Sequence, residues 1–207
     1  MFWSGAQSPH PTPRRHPNYG SAGGSPAFTL CGPAARSPTW RLIPDRLVPL
    51  IKAPCPAPPE TFATARLVAR PPRREDAPAV FAAYASDPEV TRYLSFPVHT
   101  RVETVAEFLQ ARADGWARGQ DHHFGYLLCL NGTDAPIGSI GFSLEKHQIM
   151  FGYVLARAHW GRGLMTEALR WLVDWSLTQP EIYRAWAFCD AANPASARVM
   201  EKAGMTR

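Results

Sequence analysis

Gly161 and Gly163 stand one residue apart at the head of a strongly apolar run, in the stretch "ARAHWGRGLMTEALRWLVDW" at residues 156–175. A Gly-x-Gly at a helix entry leaves the first N–H groups of the helix without intrahelical partners. Two positions without side chains also let an anion approach them closely. The chemistry this spacing suits is the cradling of a phosphate. A P-loop is excluded, because the Gly-Lys-Ser/Thr that must follow four intervening residues is missing. A dinucleotide fingerprint fits only partly. Thr166 takes the place of the third glycine, and Asp190, the candidate ribose ligand, comes later than the usual ~20 residues. That reading and a turn with no ligand remain as alternatives.

A second group follows in "NPASARVMEKAG", where Asn193 precedes Pro194 and Ser196 falls at the third helical position. Asn-Pro is a helix start in its own right, with the asparagine as N-cap and the proline at the first helical position. Candidate bases are sparse. Glu145 and His147 belong to one turn and His99 to a separate loop, and each has an ordinary place on the surface as its alternative.

These residues need elements to hold them. "FATARLVAR" at residues 62–70 reads as a first strand, stopped by Pro71 and Pro72. A helix follows, with Glu75 and Asp76 at its positive end, Pro78 in its first turn, and Val80, Phe81 and Tyr84 on its apolar face. "SDPEVTRYL" reads as a turn with a short helical piece. Thr100 and Glu103 form a capping-box pattern for a helix that runs through Val105, Leu109 and Trp116 to a stop near Gly119. Asn131-Gly132 joins two strands as an antiparallel hairpin, and "IMFGYVLA" adds a third strand. The helix after the glycine turn spans about 164–177, with Glu167, Arg170 and Asp174 on one solvated stripe. "IYRAWAFCD" is one more strand, and the Asn193 helix ends at Gly204. The expected fold is α/β with a mixed sheet. The crossover through the long helix makes its two flanking strands parallel neighbours, and a ligand pocket is expected at that junction.

Composition divides the 207 residues in two. Residues 1–60 hold 13 of the 21 prolines and, as acids, only Asp45 and Glu60; they read as a disordered tail before a domain at 61–207. Of the net charge of +5, +4 belongs to that tail (six basic residues less two acids), so the domain is nearly neutral and nucleic-acid binding is not expected. No apolar run suits a signal peptide or a membrane span, so no membrane partner is expected either. Cys31, Cys55, Cys129 and Cys189 show no C-x-x-C spacing, which points to free thiols in a reducing cytoplasm and to no metal site.

"GYVLARAHWGRGLMTEAL" followed by "NPASARVMEKAGM" resembles the coenzyme A loop and the second signature of the GNAT N-acetyltransferases. "TARLVARPPRREDAPAVFAAYASDPEVTRYL" resembles the opening of the branch that modifies the N-termini of ribosomal proteins. The resemblance covers about 61–207. It implies an antiparallel meander in the mixed sheet, flanking helices and splayed central strands. It further implies that the backbone of Val154, Leu155 and Ala156 holds the pantetheine arm of acetyl-coenzyme A. The pyrophosphate would rest on the turn of Trp160, Gly161, Arg162, Gly163, Leu164 and Met165, with Trp160 and Met165 departing from the commonest residues. Asn193 would contact the pantetheine, and Ser196 would approach the thioester sulfur as the catalytic hydroxyl.

The activity so implied is transfer of an acetyl group from acetyl-coenzyme A to a primary amine, either the N-terminal α-amine of a protein or peptide or a small-molecule amine. Many relatives carry a glutamate two residues before Gly152, where this chain has Met150. A site without a strong base favours an α-amine of pKa 7.7–8.0, about a tenth neutral at pH 7, over a lysine, neutral about once in 2,500 molecules. Relatives also continue into two further strands after the point where "EKAGMTR" ends. A sheet edge left bare by their loss invites pairing, including a homodimer. A catalytically weak coenzyme A binding or interaction module is thus the second expectation.

Overall fold

The computed structural model describes residues 57–118 and 123–206. The expectation of a disordered tail falls on residues 1–60, almost all of which lie outside the described residues, as does Gly119.

The expected first strand is broken into a small hairpin, β1 at Phe62–Ala63 and β2 at Leu67–Arg70, paired antiparallel. The reason is local. Thr64 donates its N–H to the Leu67 carbonyl at 2.8 Å, and its hydroxyl accepts the Leu67 N–H at 3.1 Å, so the chain closes a turn instead of running on. Arg66 is thereby lifted to the rim of the sheet.

The next segment is helical but not uniform. A 3₁₀ turn at Arg74–Asp76 leads into α1 at Ala77–Val80, which widens into a π-turn at Phe81–Ala85. The Ser86 N–H and hydroxyl both bond the Phe81 carbonyl, at 3.2 and 2.8 Å, closing the wide turn. A short helix, α2 at Pro88–Thr91, is capped by the Asp87 carboxylate. The long helix α3, Val102–Arg118, starts at Val102, so the expected Thr100 cap is one residue too early.

Three strands follow as a meander: β3 at His123–Leu130, β4 at Pro136–Glu145 and β5 at Gln148–Leu155. Gly132 in the first turn has φ 82°, as the Asn-Gly pair requires. Helix α4 spans Leu164–Leu177, and β6, shorter than expected at Arg184–Ala187, lies parallel to β5. Helix α5, Pro194–Lys202, closes the described chain, with Gly204 at φ 94° beyond it. The six strands lie in sequence order, β1 to β6.

Each face of the sheet carries its own core. Leu164, Ala168, Leu169 and Leu172 of α4 pack with Ile140, Phe142, Ile149 and Phe151 on one face. Val80 and Tyr84, with Val105 and Leu109 of α3, pack with Leu127, Val154 and Ala156 on the other. The period-two pleat sends Tyr153 and Leu155 to the first face and Val154 to the second, so β5 serves both. The helical segment before α1 is tied to the sheet by Arg70. Its guanidinium grips both Asp76 oxygens at 2.7 and 2.8 Å and takes Asp134 in the β3–β4 turn at 2.6 Å. Glu167 departs from the expected solvated stripe on α4. It is half-buried, and both its oxygens accept from Arg66, at 2.9 Å from the backbone N–H and 2.7 Å from Nε.

Candidate functional site

The site begins where β6 leaves β5. Their parallel ladder ends at the pair Phe151–Ala187, whereas β5 continues to Leu155 along β4. Ala156 donates its N–H to the Ile137 carbonyl at 2.8 Å. That bond sets the alternation, so the N–H and C=O groups of Tyr153 and Leu155 point away from β4, to the side β6 has vacated. This is the splay expected of the central strands. An extended ligand can bond there as a strand would.

The turn beyond it is open. Gly161 and Gly163 have φ 72° and 74°, and an added Cβ would meet nothing within 4 Å at Gly161 and only the Arg66 guanidinium, at 3.7 Å, at Gly163. Gly163 is the N-cap of α4 and offers no side-chain cap, which leaves the first N–H groups of a 14-residue helix facing outward. Arg66 braces this turn by donating to the Arg162 carbonyl at 2.9 Å while holding Glu167. Arg162 lies 3.1 Å from His159, whose pKa is lowered by partial burial and by that guanidinium. Positive charge and free N–H groups therefore converge where a pyrophosphate would rest, and the residues present fit coenzyme A.

The candidate contacts divide by side chain and backbone. Val154, Ala156, Leu164 and Met165 are buried; the Val154 main-chain groups turn to β4 and the Ala156 N–H is held by the Ile137 carbonyl, so of Val154, Leu155 and Ala156 it is Leu155 whose N–H and C=O both point to the open side. Trp160 is 46% exposed, yet its indole N–H donates to the Leu155 carbonyl at 2.6 Å, one of the groups assigned to the pantetheine. Asn193 caps α5, its Oδ1 accepting the Ser196 N–H at 3.1 Å. Its Nδ2 has no partner among the described residues.

Ser196 is half-buried, and its hydroxyl lies 2.8 Å from the Tyr153 hydroxyl, which also donates to the Ser196 carbonyl at 3.1 Å. Burial pushes the Tyr153 phenol up to about 12, against the opposing pull of that serine, so it keeps its proton at neutral pH. Tyr153 went unnoticed in the sequence because it reads there as an ordinary strand aromatic. The same holds for Arg66, read as a strand residue.

On the opposite face of β5 lies a cavity of about 100 Å³. Its wall combines the π-turn (Tyr84, Ala85), the loop before α3 (Phe96, His99), and Ser139 of β4 beside its cross-strand partner Val154. Of the three candidate bases, only His99 belongs to it. Glu145 ends β4 and His147 lies in the turn that leads into β5, a strand about 23 Å long at 3.3 Å per residue, and His147 is engaged with the Glu181 carbonyl at 2.9 Å and stacked on Tyr183. Among the described residues no group of three His, Cys, Asp or Glu is placed to hold a metal ion. No helix among them is long and apolar enough to cross a membrane.

With this geometry the comparisons with known proteins agree. The acetyltransferase (GNAT) domain family matches residues 66–206, and this chain belongs to it. The uncharacterized N-acetyltransferase p20 of Bacillus licheniformis is 33% identical over 156 residues, covering 72% of this chain and 86% of its own. A GNAT-family acetyltransferase from Bacillus anthracis superposes with TM-score 0.62 at 27% identity, over 71% of this chain and 84% of that one. RimL, a ribosomal α-N-protein acetyltransferase solved with coenzyme A, superposes with the same TM-score of 0.62 at 22% identity, over 71% and 84%.

Proposed function

We propose that the chain is an acetyl-coenzyme A-dependent N-acetyltransferase whose acceptor is a primary amine, foremost the N-terminal α-amine of a protein or peptide, as in the ribosomal-protein branch of the family. The observation that carries this reading is the open edge of β5 at Tyr153 and Leu155 running into the glycine turn and the uncapped N-terminus of α4. When bound, acetyl-coenzyme A supplies the activated acetyl group. The chain holds its arm with the main chain of Tyr153 and Leu155, which faces away from β4, and with Asn193. Its pyrophosphate meets the N–H groups from Gly161 to Met165, the Trp160 N–H being held by the Arg157 carbonyl at 3.1 Å. Trp160 yields the Leu155 carbonyl when the arm takes it.

Tyr153 and Ser196 act at the leaving sulfur. The Tyr153 proton is held by the Ser196 carbonyl, so the serine hydroxyl donates to the Tyr153 oxygen and turns from it to donate to a neighbouring sulfur. A thiolate of pKa ~8.5 is a stable leaving group and needs little more than that hydrogen bond. Met150 supplies no carboxylate, so an amine that is already partly neutral is the acceptor best suited to the site.

The test is calorimetric titration of the full chain with acetyl-coenzyme A, followed by mass spectrometry of α-amino peptides and small amines incubated with both. Binding and a mass gain of one acetyl group on the α-amine support the reading. Binding with no transfer to any amine replaces it with a coenzyme A binding module.

A further inference from the structure

Among the described residues, the lining of the cavity on the α3 face of β5 is apolar except at three points: the hydroxyls of Ser139 and Tyr84 and the ring of His99. Ser139 is 1% exposed, and its Oγ is buried without a hydrogen bond of proper geometry, although the Tyr84 hydroxyl lies beside it. A buried hydroxyl left so is destabilising, and a ligand atom that bonds it recovers the loss. The space exceeds what one water needs, about 10–15 Å³. It adjoins the site already described, because Val154 is both a wall of the cavity and part of the strand that holds the cofactor arm.

His99 stands in that wall in a defined tautomer. The Thr104 hydroxyl donates its one proton to the Arg101 carbonyl at 2.8 Å, so it can only accept from His99 Nδ1, also at 2.8 Å. Nδ1 therefore carries the hydrogen and Nε2 the free lone pair. The loop itself is pinned by the His99 N–H donating to the Ala85 carbonyl at 3.0 Å.

We propose that this cavity seats the carbon chain beside the accepting amine, with Ser139 bonding one uncharged polar atom of that chain and His99 Nε2 receiving the proton the amine gives up. The proposal rests on the acetyltransferase reading above and names its acceptor class: a primary amine on a short apolar chain with one neutral polar group. Charged chains are disfavoured, because among the described residues no carboxylate, ammonium or guanidinium lines the cavity to pair with them. In the step, the amine nitrogen attacks the thioester carbonyl carbon, the C–N bond forms and the C–S bond breaks. The surplus proton on nitrogen goes to Nε2 and from there to water, and the thiolate departs with a hydrogen bond from Ser196 and is protonated by solvent. Burial lowers the pKa of His99, so the ring is neutral and able to accept at pH 7. Around it, Tyr84 stays protonated because burial raises its pKa, and Arg101 and Glu103 pair with each other on the surface at 3.4 Å.

The experiment uses the full chain and four heptapeptides identical except for a first residue of Thr, Val, Asp or Lys. The Thr peptide is expected to exceed Asp and Lys at least tenfold in kcat/KM, and to exceed its isostere Val about fivefold, the worth of one buried hydrogen bond. Ser139→Ala should bring the Thr-to-Val ratio to about one, both in kcat/KM and in peptide affinity measured by calorimetry without cofactor. His99→Gln should lower kcat/KM at least tenfold at pH 7 and abolish the acid limb of kcat, with peptide affinity within twofold of wild type and circular dichroism unchanged. Equal use of Thr, Asp and Lys overturns the cavity assignment, and an unaltered acid limb in His99→Gln overturns the base. Either result with acetyl transfer intact leaves the acetyltransferase reading standing; no transfer to any amine overturns both.

Discussion

The two sides of β5 are built by opposite means. The side proposed for the cofactor offers main-chain N–H and C=O groups, presented by a turn whose side chains are exposed or absent and by a strand edge that β6 leaves bare. On the cavity side the surface is made of side chains from α1, the π-turn, the loop before α3, α3 itself, β4 and β5, six segments spread over about seventy residues. A backbone site tolerates change in almost every side chain but not in its conformation. A side-chain site tolerates shifts of the chain only as far as its packing does.

Five substitutions sharpen or break that contrast. The largest effect is expected where the cavity side is anchored: Arg70→Ala leaves the Asp76 carboxylate buried and unpaired, at a cost of about 3–5 kcal/mol in urea unfolding. Because α1 and the π-turn hang from that clamp, peptide affinity should fall more than cofactor affinity; equal losses would erase the distinction. Next, Gly163→Val forces a β-branched residue to φ 74° at the mouth of the turn. Acetyl-coenzyme A affinity should drop at least tenfold, about 1.4 kcal/mol, with peptide affinity unchanged, both by calorimetry.

Ser196→Ala tests the chemistry rather than either surface. Turnover should fall about tenfold with cofactor affinity within twofold, and Tyr153→Phe should fall less, since it acts only through the serine. Arg66→Ala should have the smallest effect, about a threefold weakening of acetyl-coenzyme A, because its partners are part-exposed and ion pairs of this kind contribute about 0–1 kcal/mol. A loss as large as that of Gly163→Val would mean that side-chain bracing, not backbone conformation, makes the cofactor side.

The same contrast decides what could be read in advance. The glycine turn, the bounds of α4, the Asn193 cap and the parallel β5–β6 crossover all follow from contiguous residues, and each is found where the spacing puts it. The single first strand and the Thr100 cap were misplaced by local competition, from the Thr64 hydroxyl in one case and a one-residue shift of the helix start in the other. Arg66, Tyr153 and Ser139 carried no signal at all. An arginine in a strand-like run, a strand tyrosine and a strand serine look the same whether or not they serve a site.

What the sequence by itself determined is therefore the family, the order of elements and the backbone cradle, because periodicity, caps and the Gly-x-Gly conformation are properties of neighbours along the chain. Only the tertiary structure decided which side chains meet. The hairpin at Thr64 brings Arg66 to the Arg162 carbonyl across 96 positions, and the packing of α5 brings Ser196 to Tyr153 across 43. The meander sets Ser139 under Tyr84 and beside the loop of His99. Contacts of that separation depend on how two faces of a sheet are covered at once, and no stretch of neighbouring residues encodes that.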